Sequence, residues 1–500
     1  MSDIKKVVII GSGLGGLSCG VVLAKNGYDI TVLEQGDQIG GCLQCFTRRG
    51  AKFETGMHFI GSAAKGQILD MILEYLEVKK DITLSPLNPD CYDVVSIYGE
   101  KFKFPNGSEQ FIEKFSTYFP KEKDNILKYW DLVKKVAGAS SLAMLQHAES
   151  DEVLNMKYQM LSINGVLDEI FTDEKIKNVL IGNLPLYAAI KDKTPFATHA
   201  FVADFYNQSA FRIVGGSDSV AISLRKTIEK YGGKVLTKHK ATKIVCDSTK
   251  ALGVETQGGV FFEADYFIAG THPLRALQLI DSKLIRPAFR SRIMSIPQTP
   301  GVFCVYVRFK ENTVKYMNSN FYGYNTSSTW NCESYTDSDW PKNWLYMHLC
   351  HKDKAEFAQT GVILAFMQFN ELQKWVGTPI GRRGEDYENF KTRKAEQLIA
   401  SVEKQFPGLQ NSIASYYTST PLTYFDYTGT ERGSMYGIAK DIHLGATGRV
   451  PHKTRIPNLF LTGQNINTHG ILGVIVGTIV TCSEFLTAET IYQQILEANK

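Results

Sequence analysis

Residues 7–16 read Val7-Val8-Ile9-Ile10-Gly11-Ser12-Gly13-Leu14-Gly15-Gly16, an apolar run that ends in Gly11-x-Gly13-x-x-Gly16. β-Branched residues followed by that spacing fit a strand, a tight turn, and a helix whose N-terminus meets a pyrophosphate. The three glycines serve the turn, the close approach of backbone to phosphate, and the close packing of helix on strand. A glycine triplet alone is a weak signal. Here a helix over 14–25 leads to a second strand from Tyr28, and Glu34 closes its apolar run Ile30-Thr31-Val32-Leu33. A carboxylate there suits a ribose hydroxyl and repels a 2′-phosphate. The reading is an adenine dinucleotide without that phosphate, held by Gly11, Ser12, Gly13, Leu14, Gly15, Gly16, Glu34 and Gln35. Lys5-Lys6 before an apolar stretch imitates a signal peptide, but the fixed glycines and the timed acid argue against one.

The pattern continues in Ile39-Gly40-Gly41-Cys42 and in Gly50-Ala51-Lys52-Phe53-Glu54-Thr55-Gly56-Met57-His58. With the opening fingerprint, these stretches resemble the glutathione-reductase-like flavoproteins, in the branch of amine oxidases and phytoene desaturases. The resemblance implies FAD rather than NAD, with Gly40, Gly41, Cys42, Gly56, Met57 and His58 close to it. Near the other end, Ile456-Pro457-Asn458-Leu459-Phe460-Leu461-Thr462-Gly463-Gln464-Asn465 reads as a strand ending in a polar turn, and Gly470-Ile471-Leu472-Gly473-Val474 opens a helix. The resemblance puts Gly463, Gln464 and Asn465 over the ribityl–pyrophosphate and the helix start, with Leu472, Gly473 and Val474, at the flavin pyrimidine edge. A helix N-terminus there favours anionic reduced flavin.

With 500 residues and 44% apolar content, the chain can bury a large core as two intertwined domains. Its 55 basic and 51 acidic residues give no electrostatic case for nucleic acid, and the slight basic excess does not oppose peripheral contact with anionic lipid. No run is long enough to span a bilayer; residues 470–480 are too few and glycine-broken. Nine scattered cysteines with no leader before them predict reduced thiols and a cytoplasmic, soluble or peripherally membrane-associated protein. Cys42-Leu43-Gln44-Cys45 has the spacing of a dithiol that could exchange electrons with flavin, but two small side chains packed beside the cofactor is the preferred reading. Zinc would need a second ligand pair, and none has suitable spacing, so no metal is expected.

Periodicity predicts helices over 66–76, 108–118 and 121–145, with further helices to about 181. A helix over 220–231 closes at Gly232-Gly233, and strands over 234–236, 240–246, 252–256, 260–262 and 266–268 return the chain to the nucleotide domain, with Ala241 near the adenine. Strands over 302–309, 345–349 and 362–369 and a helix over 383–406 follow. The expected class is α/β: a glutathione-reductase-like FAD-binding Rossmann domain (ββα sandwich) of residues 1–75, 205–285 and 445–500. A mixed α+β substrate domain of residues 76–204 and 286–444 is inserted in it.

Gly40-Gly41-Cys42 with Phe46, Phe53-Glu54-Thr55-Gly56-Met57-His58-Phe59-Ile60-Gly61 and Leu461-Thr462-Gly463-Gln464-Asn465 resemble the retinol saturase branch of the carotenoid desaturase/isomerase family. Thr420-Pro421-Leu422-Thr423 and Arg432-Gly433-Ser434-Met435-Tyr436-Gly437 resemble it too. The likeness implies saturation, desaturation or isomerisation of a hydrophobic polyene or isoprenoid lipid, with hydride transfer at flavin N5 and a proton moving at the neighbouring carbon. His58 and His469 are the acid–base candidates, because histidine titrates near neutrality and both are placed by motif beside the flavin; Tyr436 and Arg432 are weaker ones. No second nucleotide fingerprint occurs, so electrons exchange with an external partner, a quinone, or NAD(P)H visiting the flavin. Two other readings stay open: an FAD amine oxidase, and a non-catalytic lipid-binding module like the Rab GDP-dissociation inhibitors.

Overall fold

The opening strand, Lys6–Ile10, buries four consecutive β-branched residues, Val7 to Ile10, as a strand covered on both faces does. In the computed structural model, which describes residues 4–139 and 151–500, it is the centre of a five-stranded sheet. The order is Lys234–Leu236, Asp29–Leu33, Lys6–Ile10, Tyr266–Ala269, Leu459–Leu461, and every pairing is parallel. Helix Leu14–Lys25 lies on one face between Asp218–Lys230 and Gly470–Cys482. A three-stranded antiparallel sheet, Ala241–Cys246, Ala251–Thr256 and Phe261–Glu263, joins the core on the other side, completing a ββα sandwich. Gly16 sets the fit of helix to strand: a Cβ there would stand 2.1 Å from the Gly11 carbonyl oxygen.

A seven-stranded sheet forms the second lobe, in the order Ile413–Ser419, Gly301–Phe309, Thr360–Met367, Asn343–His348, Asn320–Tyr324, Asp93–Ile97, Glu100–Phe104. Its one parallel pairing, Asn320–Tyr324 with Asp93–Ile97, joins the two stretches of chain that leave the first lobe. Strand Gly301–Phe309 shows how both faces are filled. Val302, Cys304 and Tyr306 enter the core toward the helices of residues 108–208, while Phe303, Val305, Val307 and Phe309 enter the core under helix Glu385–Glu403. The period of two that sends alternate side chains to opposite faces explains the split. The small sheet Ile60–Gly61, Ala210–Ile213, Leu84–Pro86 crosses the boundary expected at residue 76.

The helix expected over 108–118 is Ser108–Tyr118. That expected over 121–145 is described as Lys123–Gly138; residues 140–150 lie outside the described part. Strands Asp93–Ile97, Asn320–Tyr324 and Ile413–Ser419 were not expected from periodicity. Among the described residues no helix is long and apolar enough to cross a membrane.

Candidate active site

Between the lobes lies a cavity of about 630 Å³. Helix Leu14–Lys25 points its N-terminus at it with no side-chain cap and no acid in its first turn. Helix Gly470–Cys482 is uncapped in the same way, and Gly470, Ile471 and Val474 reach the cavity. Two helix ends with their N–H groups and positive partial charge unopposed form an anion site. Gly13 sharpens the assignment. Its backbone is extended (φ −65°, ψ 172°), which any residue adopts, yet a Cβ would meet nothing within 4 Å. The missing side chain is thus space on the cavity wall. Gly15 closes the cradle, since its Cβ would press to 2.9 Å on Gly463 Cα from the far end of the chain. Thr271 Oγ1, also at this wall, is buried without a hydrogen-bond partner among the described residues. An open glycine, two bare helix ends and an orphaned hydroxyl fit a large diphosphate cofactor such as FAD.

Glu34 is strapped in position beside them. Its Oε2 accepts from the Ser12 N–H at 3.0 Å and the Ser12 hydroxyl at 2.6 Å, and its Oε1 accepts from the Gly36 N–H at 2.8 Å. Of the residues singled out by sequence, Gly11, Gly13, Leu14, Gly15, Glu34, Gln35, Gly40, Gly41, Cys42, Gly56, Met57, His58, Ala241, Tyr436, Gly463, Gln464, Asn465, His469 and Val474 line the cavity. Four do not. Ser12 spends its hydroxyl on Glu34, Gly16 packs against Gly11, and Leu472 faces the apolar core. Gly473 backs onto the chain, where a Cβ would lie 2.3 Å from Thr468 Cγ2. Asn465 Oδ1 accepts from the Ile438 N–H at 2.8 Å, so part of its amide is committed to holding that turn.

On the substrate-lobe side the wall turns apolar: Phe59, Leu345, Met347, Leu364 and Met435, with Tyr206 among them. His58 stands in this wall with its Nδ1 3.2 Å from Glu54 Oε2, both side chains nearly buried (9% and 7% exposed). Its Nε2 has no protein partner among the described residues. Arg212, 1% exposed, donates from Nη1 to the His58 carbonyl at 3.1 Å and from Nη2 to Asn320 Oδ1 at 2.8 Å. Asn320 Nδ2 donates in turn to Asp93 Oδ1 at 2.9 Å, and Asn183 Nδ2 to Asp93 Oδ2 at 3.3 Å. Burial pushes the Asp93 carboxyl up to about 7 against the pull of the two amides and the Arg212 charge. Sequence reading missed this network. Its only signal was a lone Arg212 inside the apolar Phe211-Arg212-Ile213 run.

His469 and Tyr436 stack with ring centroids 4.2 Å apart and planes 29° from parallel. Burial, helped by the Lys440 ammonium, pushes His469 down to about 3, so the imidazole is neutral at neutral pH and is no source of a proton as imidazolium. Burial raises the Tyr436 phenol, which donates to the Pro185 carbonyl at 3.2 Å. Arg432 is exposed and donates to Asn370 Oδ1, away from the cavity. Cys42 and Cys45 are free thiols; burial pushes them up to about 11 and about 12, the latter aided by Glu54, so neither supplies a ready thiolate.

A family model described as flavin containing amine oxidoreductase matches residues 14–475. All-trans-retinol 13,14-reductase of Rattus norvegicus is 28% identical over 532 aligned positions, covering 98% of this chain and 86% of that protein. The 1-hydroxycarotenoid 3,4-desaturase of Flavobacterium sp. (strain P99-3) is 21% identical, covering 93% and 96%. Among solved structures, an oxidoreductase from Methanosarcina mazei superposes with a TM-score of 0.65 at 13% identity, covering 96% of this chain and all of that one (100%), a likeness of fold.

Proposed function

The chain belongs to the flavin-containing amine oxidoreductase family, and from that premise we propose an FAD-dependent oxidoreductase acting on the C=C bonds of a hydrophobic polyene or isoprenoid lipid. The observation that carries the reading is one cavity that runs from the glycine cradle to a wall of Phe59, Leu345, Met347 and Leu364, with His58 in that wall held by the buried Glu54 behind it. Relatives that reduce a retinol or desaturate a carotenoid align with nearly the whole chain, which supports the same substrate class here.

The cradle residues Gly13, Gly15, Glu34 and Gly463, with the two helix N-termini, would hold the dinucleotide. FAD bound there supplies hydride exchange with one carbon of a double bond. The neighbouring carbon must then gain or lose a proton, and His58 is the group placed to move it. Glu54 orients the ring through Nδ1, leaving Nε2 for the substrate. Neutral His469 and the protonated Tyr436 serve as a rigid wall that positions the chain and excludes water. The apolar lining takes a hydrocarbon with little desolvation cost. Electrons exchange with an external partner, NAD(P)H or a quinone, and the protein touches the membrane that dissolves its substrate.

Purified protein is expected to be yellow and to release FAD on denaturation; colourless protein that cannot be reconstituted rejects the reading. Photoreduced enzyme and oxidised enzyme, each incubated with retinoids, carotenoids and amines, separate the remaining choices by product mass, the reduced flavin able to donate a hydride and the oxidised flavin to accept one. A gain of two hydrogens marks saturation, a loss marks desaturation, and unchanged mass with a shifted spectrum marks isomerisation. Deamination of an amine would instead favour an amine oxidase.

A further inference from the structure

A large unbalanced positive charge lies outside this cavity. Residues 281–296 and 440–455 carry eight Lys and Arg against two acids, Asp281 and Asp441, a surplus of six in a chain whose total surplus is four. The two segments build one face. Arg292 Nη1 donates to the Thr447 and Arg449 carbonyls at 2.7 and 2.9 Å, and Ile285, Ile293, Val450 and Ile456 share the core beneath. The loop 190–194 joins it: the Ile442 N–H donates to the Lys193 carbonyl, and His443 Nε2 lies 2.9 Å from the Asp192 carbonyl oxygen. Lys191, Lys193, Lys283, Arg286, Arg449 and Arg455 are exposed there and make no ion pair among the described residues. In the other basic run, residues 225–243, Arg225, Lys226, Lys230 and Lys238 are matched by Glu229, Asp81, Glu77 and Asp37, which leaves only Lys234, Lys240 and Lys243 without an ion pair among the described residues.

Apolar groups sit among these cations. Met294 is 70% exposed on the helix Pro287–Ser295, and the Arg292 guanidinium lies 5.1 Å over the Phe289 ring. Beside them a second cavity, about 520 Å³, is lined by Val450, Pro451, Ile466 and Val480 together with Arg292 and Arg449. Guanidinium groups bordering an apolar wall match an anionic amphiphile, with phosphate on the cations and acyl chain on the hydrocarbon. An acidic protein or a nucleic acid would use the cations and leave Met294 and the apolar cavity idle.

We propose that this face docks on the anionic surface of a lipid bilayer, setting the catalytic cavity against the membrane. The chain connects the two directly: Tyr436 of the active-site wall leads within four residues to Lys440, and Pro185 and Leu186 of that wall lead to Lys191 and Lys193. The benefit to catalysis rests on the polyene reading; the docking does not.

The test is co-sedimentation of the full FAD-loaded chain with phosphatidylcholine vesicles, with and without added phosphatidylglycerol. Binding is expected only when phosphatidylglycerol is present, and raised salt should release it. R449E with R455E should lower the bound fraction on the order of tenfold, M294D by less, and K226E with K230E on the paired run not at all. Retained flavin absorbance reports that each variant is folded. Equal binding to phosphatidylcholine alone, or unchanged binding by R449E with R455E, overturns the proposal, as does retention on heparin or RNA without vesicle binding. Vesicle binding without polyene turnover rejects the reaction and keeps the docking face. Turnover of detergent-dispersed polyene without vesicle binding rejects the face alone.

Discussion

In the nucleotide-binding lobe the groups that face the cavity are largely backbone: Gly11, Gly13, Gly15, Gly41, Gly463 and two uncapped helix ends. In the substrate lobe they are side chains, backed by buried polar ones: Asp93, Asn183, Asn320 and Arg212 link four segments of chain behind His58. Backbone recognition depends on what is absent, a Cβ, and so is brittle to any added atom. Side-chain recognition depends on partners that must all be present, because a buried polar group left unpaired costs about 1–3 kcal/mol. The first lobe should therefore fail by exclusion of its ligand, and the second by loss of chemistry and by pH.

The largest effect expected from this contrast is at Gly13. G13V should abolish flavin binding while unfolding together with flavin-free wild-type protein, because its Cβ has no protein atom within 4 Å. G16A makes the control. Its Cβ would meet the Gly11 carbonyl oxygen at 2.1 Å, so it should lose about 1–3 kcal/mol or more of stability with or without flavin. If G13V binds FAD normally, the cradle is misassigned. Next comes His58: H58A should slow turnover by roughly 10²–10⁴-fold with unchanged flavin content, and E54Q by less. Full activity of H58A would remove it from the proton step.

Two smaller effects test the buried polar groups through pH, with opposite signs. The fold keeps the Asp93 carboxyl protonated up to about 7, whereas an unfolded chain releases that proton near 3.8. The native state binds more protons in that window, so this group's stabilisation, full below 3.8, is lost as pH rises through 7. D93N should flatten that fall in a thermal-melt series; an unchanged slope refutes the assignment. His199 acts in the other direction. Its ring nitrogens lie 2.7 and 2.8 Å from the Tyr129 and Tyr187 hydroxyls, and burial pushes it down to about 4. The neutral ring stabilises the fold above 6.5, and that contribution is lost as pH falls toward 4. H199Q should make acid destabilisation shallower, though only in part, since His272, His348 and His469 are also pushed down by burial.

The same contrast explains what could be read in advance. Helix Leu14–Lys25, Glu34, the strand at Leu459–Leu461 and most of the cradle were legible, because each is a local pattern with a fixed spacing. Leu472 and Gly473 were misplaced because a helix of 3.6 residues per turn sends Gly470, Ile471 and Val474 to the cavity and turns the two between them away. Asp93 was invisible for a different reason. It meets Asn320, 227 positions away, across a parallel pairing that no local pattern announces. A lone acid at the start of an apolar strand reads the same whether it ends in solvent or in a core.

By itself the sequence determined the cofactor class and the strand–turn–helix that receives it, since both rest on short-range constraints of backbone geometry. Tertiary structure decided how differently the two motif histidines are surrounded. His58 and His469 are chemically identical residues, each placed by a motif, and only their surroundings separate them: a carboxylate at 3.2 Å for one, burial beside an ammonium for the other. Protonation depends on the field and solvent at the folded site, and that field comes from residues scattered along the chain.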